Sequence, residues 1–292
     1  LNKKISPLGL HASVAGGISK AIEQSLLLGC DAVQIFARNP RAWRSKEIDT
    51  KEVELFRQKR IDSGIWPLVT HTSYLINLAT PDKELYEKSI QALIEELMIA
   101  RLIGADYVVT HPGSHRDSGL HSGIKRTAKA IKTVIDAAGS SKKNSPLPLP
   151  MILIENTAGG GTQIGGNLAN LKAIIELTET NKVGVCFDTC HGFAAGYAIK
   201  KANIKSLLTE MNKELPLKHI KVIHLNDSKG DFGSAVDRHE HIGKGKIGGP
   251  SIEAFITHPK IKGTPLILET PKDTEEDDKR NLARVNKMRR SR

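Results

Sequence analysis

Cysteine is scarce in this chain. Three thiols in 292 residues, Cys30, Cys186 and Cys190, are too few and odd in number for the disulfide framework of a small secreted domain, so a reducing compartment is expected. Cys186 and Cys190 sit in or at the end of an apolar run and read as buried rather than catalytic. Equally missing is any charge-free run long enough to cross a bilayer, which excludes a membrane-spanning helix by sequence. No signal-peptide pattern opens the chain, although it begins at Leu1 rather than Met, so a processed upstream targeting segment stays compatible with it. Acid is short relative to base: 43 Lys plus Arg against 32 Asp plus Glu leave a formal charge of +11. That excess suits a polyanionic partner such as nucleic acid, or simply a basic surface. With 39% apolar residues the length supports a sizeable core, in one large domain or two ordinary ones.

What is present is a regular series of short apolar runs of strand length: "LGLHAS" (8–13), "AVQIF" (32–36), "LVTHT" (68–72), "YVVTHP" (107–112), "MILIENT" (151–157), "VGVCFDT" (183–189), "KVIHLND" (221–227) and "LILET" (266–270). Each is nearly continuously apolar, as strands buried on both faces of a parallel sheet must be. Between them the spacing predicts helices: Ile18, Ile22 and Leu26 recur four apart before Gly29, and Asp49 with Glu52 forms a capping signature ahead of Val53 and Phe56, closing at Gly64. A longer one spans Asp82 to Ile103 and stops at Gly104, and further helices fit 120–138, 168–180, 202–213 and 250–257. Eight strands alternating with helices predict a single α/β (β/α)8 barrel over residues 1–292, with a doubly wound open sheet as the alternative. The proline-rich stretch 139–150 joins a helix to the fifth strand and marks no domain boundary, and the charged tail 271–292 is expected to be a solvated final helix or frayed end.

The acids and histidines are placed unevenly. His11, His71, His111, Glu155, Asp188, His224 and Glu269 all lie at or just past the C-terminal end of an apolar run, which in such a barrel is the rim where loops converge and chemistry sits. Crowded there without cations, the carboxylates would repel one another and be partly desolvated, and bound divalent metal removes that cost. Two more pairs add donors. In "DTCH", Asp188 and His191 are spaced to point to different places; in "DRH", Asp237 and His239 alternate and project to one side of an extended segment. His71, His111, Glu155, Asp188, His191, His224, Asp237, His239 and Glu269 make nine donors, enough for two or three ions. Imidazole with carboxylate and no thiolate cluster suits Zn2+ or Mn2+. His115, His121, His219 and His258 fit no such pattern and read as surface or loop residues, while "GKGKIGG" after "DRHEHI" has the composition of a phosphate-binding loop.

In order, "HASVAGG", "HTSYLINLA", "THPGSH", "ENTAGGG", "VCFDTCHGFAAGY", "HLNDSK", "DRHEHIGKGKIG" and "LET" closely resemble the endonuclease IV family of abasic-site endonucleases, from about Leu8 to Pro271. One departure is Ala198 after "AAGY", where relatives often carry an acid; it lies outside the nine donors. The resemblance implies a barrel holding three Zn2+ ions, with Mn2+ admissible at one site. One ion would be held by His71, His111 and the shared Glu155, a second by Glu155, Asp188, His224 and Glu269, and a third by His191, Asp237 and His239. Glu240 and His241 are left as supporting or solvent-facing residues.

The activity so implied is hydrolysis of the DNA phosphodiester 5′ to a base-less sugar, leaving a 3′-hydroxyl and a 5′-deoxyribose phosphate, together with trimming of blocked 3′ ends. Hydroxide between the first two ions would attack phosphorus in line with Glu155 assisting its deprotonation. Arg41 and Tyr74 are implied to enter the duplex at the lesion, and His11, Lys229, Lys244 and Lys246 are assigned to DNA contact. The expected partner is double-stranded DNA carrying abasic sites or blocked 3′ ends, bound by a monomer inside the cell: in the cytoplasm of a prokaryote, or in the nucleus or an organelle of a eukaryote. Two other classes compete: a sugar isomerase of the xylose isomerase type, using the four donors of the second site alone, and a non-catalytic DNA-binding module.

Overall fold

A computed structural model describes residues 5–43, 48–140 and 147–291. Eight parallel strands close into a barrel: β1 (Leu8–His11), β2 (Ala32–Phe36), β3 (Leu68–His71), β4 (Tyr107–Thr110), β5 (Met151–Glu155), β6 (Val183–Asp188), β7 (Ile220–His224) and β10 (Leu266–Leu268). Sequential strands are neighbours throughout, and β1 seals the barrel by pairing with both β2 and β10. Apart from β2, which matches its run, the strands stop one to three residues earlier than the apolar runs suggest, because the polar ends of those runs turn out of the sheet into the rim loops. Two further strands of two residues each, β8 (Asp227–Ser228) and β9 (His239–Glu240), form an antiparallel ribbon above the rim.

Helices cover the outside, α1 (Ile18–Leu27), α2 (Thr50–Ser63), α3 (Lys83–Ile103), α4 (Leu120–Ser140), α5 (Leu168–Thr178), α7 (Ile204–Glu214), α8 (Gly249–Thr257) and α9 (Asp277–Arg289), while the short α6 (Thr189–Ala194) is buried at the end of β6. Asp49 and Asp82 cap α2 and α3 through their side chains, and Gly64 and Gly104 end them in the left-handed conformation that a side chain disfavours. The six-residue α6 is hidden in the sequence among the donors of "DTCH", and Asp188 caps it by accepting the His191 amide. None of the helices among the described residues is long and apolar enough to cross a membrane. Of the proline-rich stretch 139–150, residues 141–146 lie outside the described residues.

The charged C-terminal segment departs from expectation. It is helical, as α9, but docked: Asn281, Leu282 and Val285 are buried, and Arg289 reaches the β1 side to bond Ser6 O and Asp31 Oδ2, the latter at 2.6 Å. The apolar residues recur at helical spacing inside a run of charge, so composition alone conceals the buried face.

The core has two parts. A large apolar layer fills the space between strands and helices, and a small one inside the barrel comprises Ala32, Val69, Val109, Leu153, Cys186, Val222 and Ile267. Strand periodicity gives this inner layer a consequence, since side chains two residues apart share a face. Two positions beyond the inner apolar residues stand Gln34, His71, His111, Glu155, Asp188, His224 and Glu269, and two beyond Gly9 stands His11. Each of the eight strands therefore delivers one polar side chain to the mouth of the barrel.

Candidate metal centre

Six of these eight residues gather into three groups with His191 of α6 and the two side chains of the "DRH" segment. His71, His111 and Glu155 form the first; Glu155, Asp188, His224 and Glu269 the second; His191, Asp237 and His239 the third, with the donor atoms of each group within 4.8 Å of one another. Glu155 belongs to two groups through different oxygens: Oε2 faces His71 Nε2 at 3.2 Å and His111 Nε2 at 3.6 Å, while Oε1 faces His224 Nδ1 at 3.1 Å. Asp188 and His191, three residues apart, do go to different groups, because α6 begins between them.

The hydrogen bonds around the imidazoles decide which nitrogen faces inward. A carbonyl oxygen only accepts, so the nitrogen beside it must carry the hydrogen. Nδ1 of His71 donates to Thr72 O, Nδ1 of His191 to Asn156 O and Nδ1 of His239 to Glu269 O, each at 2.9 Å. The bare Nε2 of each then faces carboxylate oxygen: Glu155 for His71, Asp237 at 3.1 Å for His191, and Asp237 at 3.4 Å and Asp188 at 3.6 Å for His239. Nε2 of His239 is buried without a hydrogen-bond partner. A lone pair set against a carboxylate is repulsive unless a cation or a proton lies between them, and the fixed outer hydrogen bond is how metal-binding histidines are oriented. The donor set therefore fits divalent metal.

Protonation responds to the same geometry. Burial pushes His71, His191, His224 and His239 down, but it is outweighed by the carboxylates around His71, His191 and His239 and by Cys186, Glu269 and Glu155 around His224, which hold all four above the ordinary histidine value, His191 and His224 well above it. His111 is lowered by its burial. Burial raises Glu155, yet the His224 and His111 charges bring it well below the ordinary range. Cys190 comes within ligand distance of Asp188 and His239, but burial pushes its thiol, like that of Cys186, up to about 12, consistent with inert buried cysteines.

Two residues around the donors carry no weight in the sequence. Gln34 is fully buried and bonds His11, His224 and Glu269 at once. Asn226 holds Asp188 Oδ2 through its Nδ2 at 2.7 Å and accepts the Glu269 amide at 2.9 Å. A lone amide inside an apolar strand run is the signal for Gln34; Asn226, in "HLNDSK", has none beyond its position.

The remaining predicted residues lie around this centre. His11 sits beside it, its Nδ1 3.0 Å from Glu269 Oε1. Tyr74 is 64% exposed, not core, with its ring 5.5 Å from Phe36 and 6.1 Å from His71. Arg41 is exposed in the adjoining loop, which is tied to the Tyr74 loop because Pro40 O accepts the Tyr74 amide and the Ser73 hydroxyl. Lys229, Lys244 and Lys246 are exposed, Lys246 pairing with Asp231 at 3.3 Å.

The glycine and lysine loop holds an anion already. The buried carboxylate of Asp227 accepts amides of Gly243, Gly245, Ile247 and Gly248, besides that of Ser228, at 2.9 to 3.3 Å. A Cβ at Gly245 would lie 2.5 Å from Asp227 Oδ1, so glycine is required by close approach. The loop thus presents its lysine side chains rather than its amides to a ligand.

Comparison with known proteins agrees with this layout. The model of the xylose isomerase-like TIM barrel family matches residues 22–290. A Halothermothrix orenii protein named probable endonuclease 4 is 45% identical over 285 residues, 97% of this chain and 99% of its own; one from Methanoculleus marisnigri is 43% identical over 283 residues, 96% and 98%. Among solved structures, endonuclease IV from Thermus thermophilus matches with a TM-score of 0.85 and 38% identity over 97% of this chain and 98% of that one. A D-tagatose 3-epimerase-like protein, at 17% identity and a TM-score of 0.69, shares the fold. With full-length identity of this order and a barrel mouth so furnished, the chain belongs to the endonuclease IV family of nucleases, within the xylose isomerase-like TIM barrels.

Proposed function

We propose that this enzyme hydrolyses the phosphodiester 5′ to abasic sites in double-stranded DNA, leaving a 3′-hydroxyl and a 5′-deoxyribose phosphate, and that it trims blocked 3′ ends at the same centre. The observation that carries the proposal is the division of nine donors into three groups joined by Glu155. We read residues 1–292 as one catalytic domain, acting as a monomer inside the cell.

His71, His111 and Glu155 would hold one zinc ion, Glu155, Asp188, His224 and Glu269 a second, and His191, Asp237 and His239 a third, with Mn2+ admissible at one of them. Bound there, divalent cations neutralise phosphate oxygens, acidify water near neutral pH and stabilise a departing alkoxide. Glu155, buried at the junction of two groups, is placed to accept a proton from the attacking water. The exposed Tyr74 ring lies 6.1 Å from that of His71 in the first group, and Arg41 is exposed in the loop bonded to the Tyr74 amide; both would occupy the gap left by the missing base. Such a nucleotide is cheaper to extrude than an intact one, which supports selectivity. The basic surface and exposed Lys229, Lys244 and Lys246 favour phosphate contact.

A sugar isomerase would employ the second group alone and leave the first and third without purpose. The deciding experiment is incision of an end-labelled duplex with one abasic analogue, beside an undamaged control, after chelation and after zinc is restored. Zinc-dependent cleavage only at the 5′ side of the lesion is expected. Absence of cleavage with metal bound, together with isomerisation of a sugar, would replace this reading.

A further inference from the structure

Gln34 is the one member of the ring of eight rim residues that is neither a metal donor nor titratable, and it bonds three of the others. Its Nε2 lies 2.6 Å from Glu269 Oε1 and 2.9 Å from His11 Nδ1, and its Oε1 lies 2.8 Å from His224 Nε2. The side chain is fully buried, so no water competes for these atoms.

The chemistry of the partners fixes each hydrogen. A carboxylate only accepts, so the nitrogen end of the amide must face Glu269 and the oxygen end His224. His224 then carries its hydrogen on Nε2, which leaves the lone pair of Nδ1 facing Glu155 Oε1 at 3.1 Å and Glu269 Oε2 at 3.2 Å, where a cation belongs. Nδ1 of His11 lies 2.9 Å from the Gln34 nitrogen and 3.0 Å from Glu269 Oε1; a bare lone pair there would face the carboxylate, so Nδ1 carries the His11 hydrogen and donates it to Glu269.

We infer that Gln34 is a positioning residue that sets the tautomer of His224, turning its Nδ1 lone pair toward metal, and holds Glu269 on the other side of the same group. The inference rests on the metal-dependent nuclease reading. One amide thereby orders two donors of the second group at once.

The test uses histidine tautomers, which 15N spectra of the zinc-loaded protein report directly. In the wild type His224 is expected to carry the hydrogen on Nε2. In Gln34→Met, similar in length but without donor or acceptor, affinity for one zinc ion per chain, read by competition with a chromophoric chelator, should fall roughly 10- to 100-fold. Wild-type spectra showing His224 protonated at Nδ1 would overturn the inference whether or not the variant folds. So would a folded Gln34→Met with unchanged zinc affinity. The expected tautomer and zinc affinity in a protein that incises nothing would instead defeat the nuclease reading and leave the metal role of Gln34 standing.

Discussion

Glu155 shows how much one side chain can be asked to do at this centre. It is buried at the meeting point of His71, His111 and His224, and its two oxygens serve different groups. Glu155→Gln keeps the shape but removes the charge and the proton acceptor. Turnover on abasic duplex should fall roughly 100- to 10,000-fold while duplex binding stays measurable; turnover near wild type would show that another group takes the proton. Glu96 poses a separate problem of burial. It lies on α3 under the loops of Arg41 and Tyr74, accepting the Ser73 amide at 3.3 Å with Arg38 Nε 3.7 Å away, and one of its oxygens has no partner. Burial, only partly opposed by Arg38, raises its carboxyl to about 7. The folded chain thus binds this proton more tightly than the unfolded one. The stability it contributes is complete below the unfolded value of 4.5 and is lost as pH rises through about 7, an effect on the order of 3 kcal/mol. Urea unfolding of metal-free protein at pH 5 and pH 8 should show a smaller loss across that interval in Glu96→Gln than in wild type, and an identical loss would mean that Glu96 is ionised throughout.

At the level of elements, the ribbon of β8 and β9 and the loop behind it are organised by Asp227. Ser228 pairs with His239, so the strand beginning with that aspartate is paired to a donor of the third group, and the glycine loop folds back onto the same carboxylate. Gly245→Ala would press a methyl group onto Asp227 and Ser228 and should destabilise this corner by about 1–3 kcal/mol. The expected signature is local: loss of about one metal ion per chain relative to wild type, with faster amide exchange over 237–248. Full zinc content and unaltered exchange would argue that the loop yields without disturbing His239. The strands were legible because burial on both faces leaves little but apolar residues in them. The six residues of α6 were not, since the side chains that begin it read first as metal donors, and the docking of α9 was obscured by charges on its outer face. The anion bound by the glycine loop lies well upstream in the chain, where local sequence gives no hint of it.

For the whole molecule, the formal charge of +11 bears on any encounter with DNA. Each phosphate neutralised releases counterions, so log affinity for duplex should fall linearly and steeply with log salt, and replacing Lys229, Lys244 and Lys246 together by Ala should make that slope shallower by about three if all three meet phosphates. An unaltered slope would place the DNA path elsewhere on the rim. The eight-strand plan was readable from the sequence, and so were seven of its eight rim residues, because acids and histidines at strand ends stand out against apolar runs. Gln34 did not stand out, yet the count of strands asks for an eighth.

Because the donors come from β3, β4, β5, β6, β7, the start of α6, the ribbon and the end of β10, no contiguous piece of chain owns a complete centre. Closing the barrel needs β1, made early, to meet β10, made late. A nascent chain on the ribosome therefore lacks a complete centre until β10 has been made. The hazard of a strand-breaking enzyme is confined to finished copies by the order in which its parts come together.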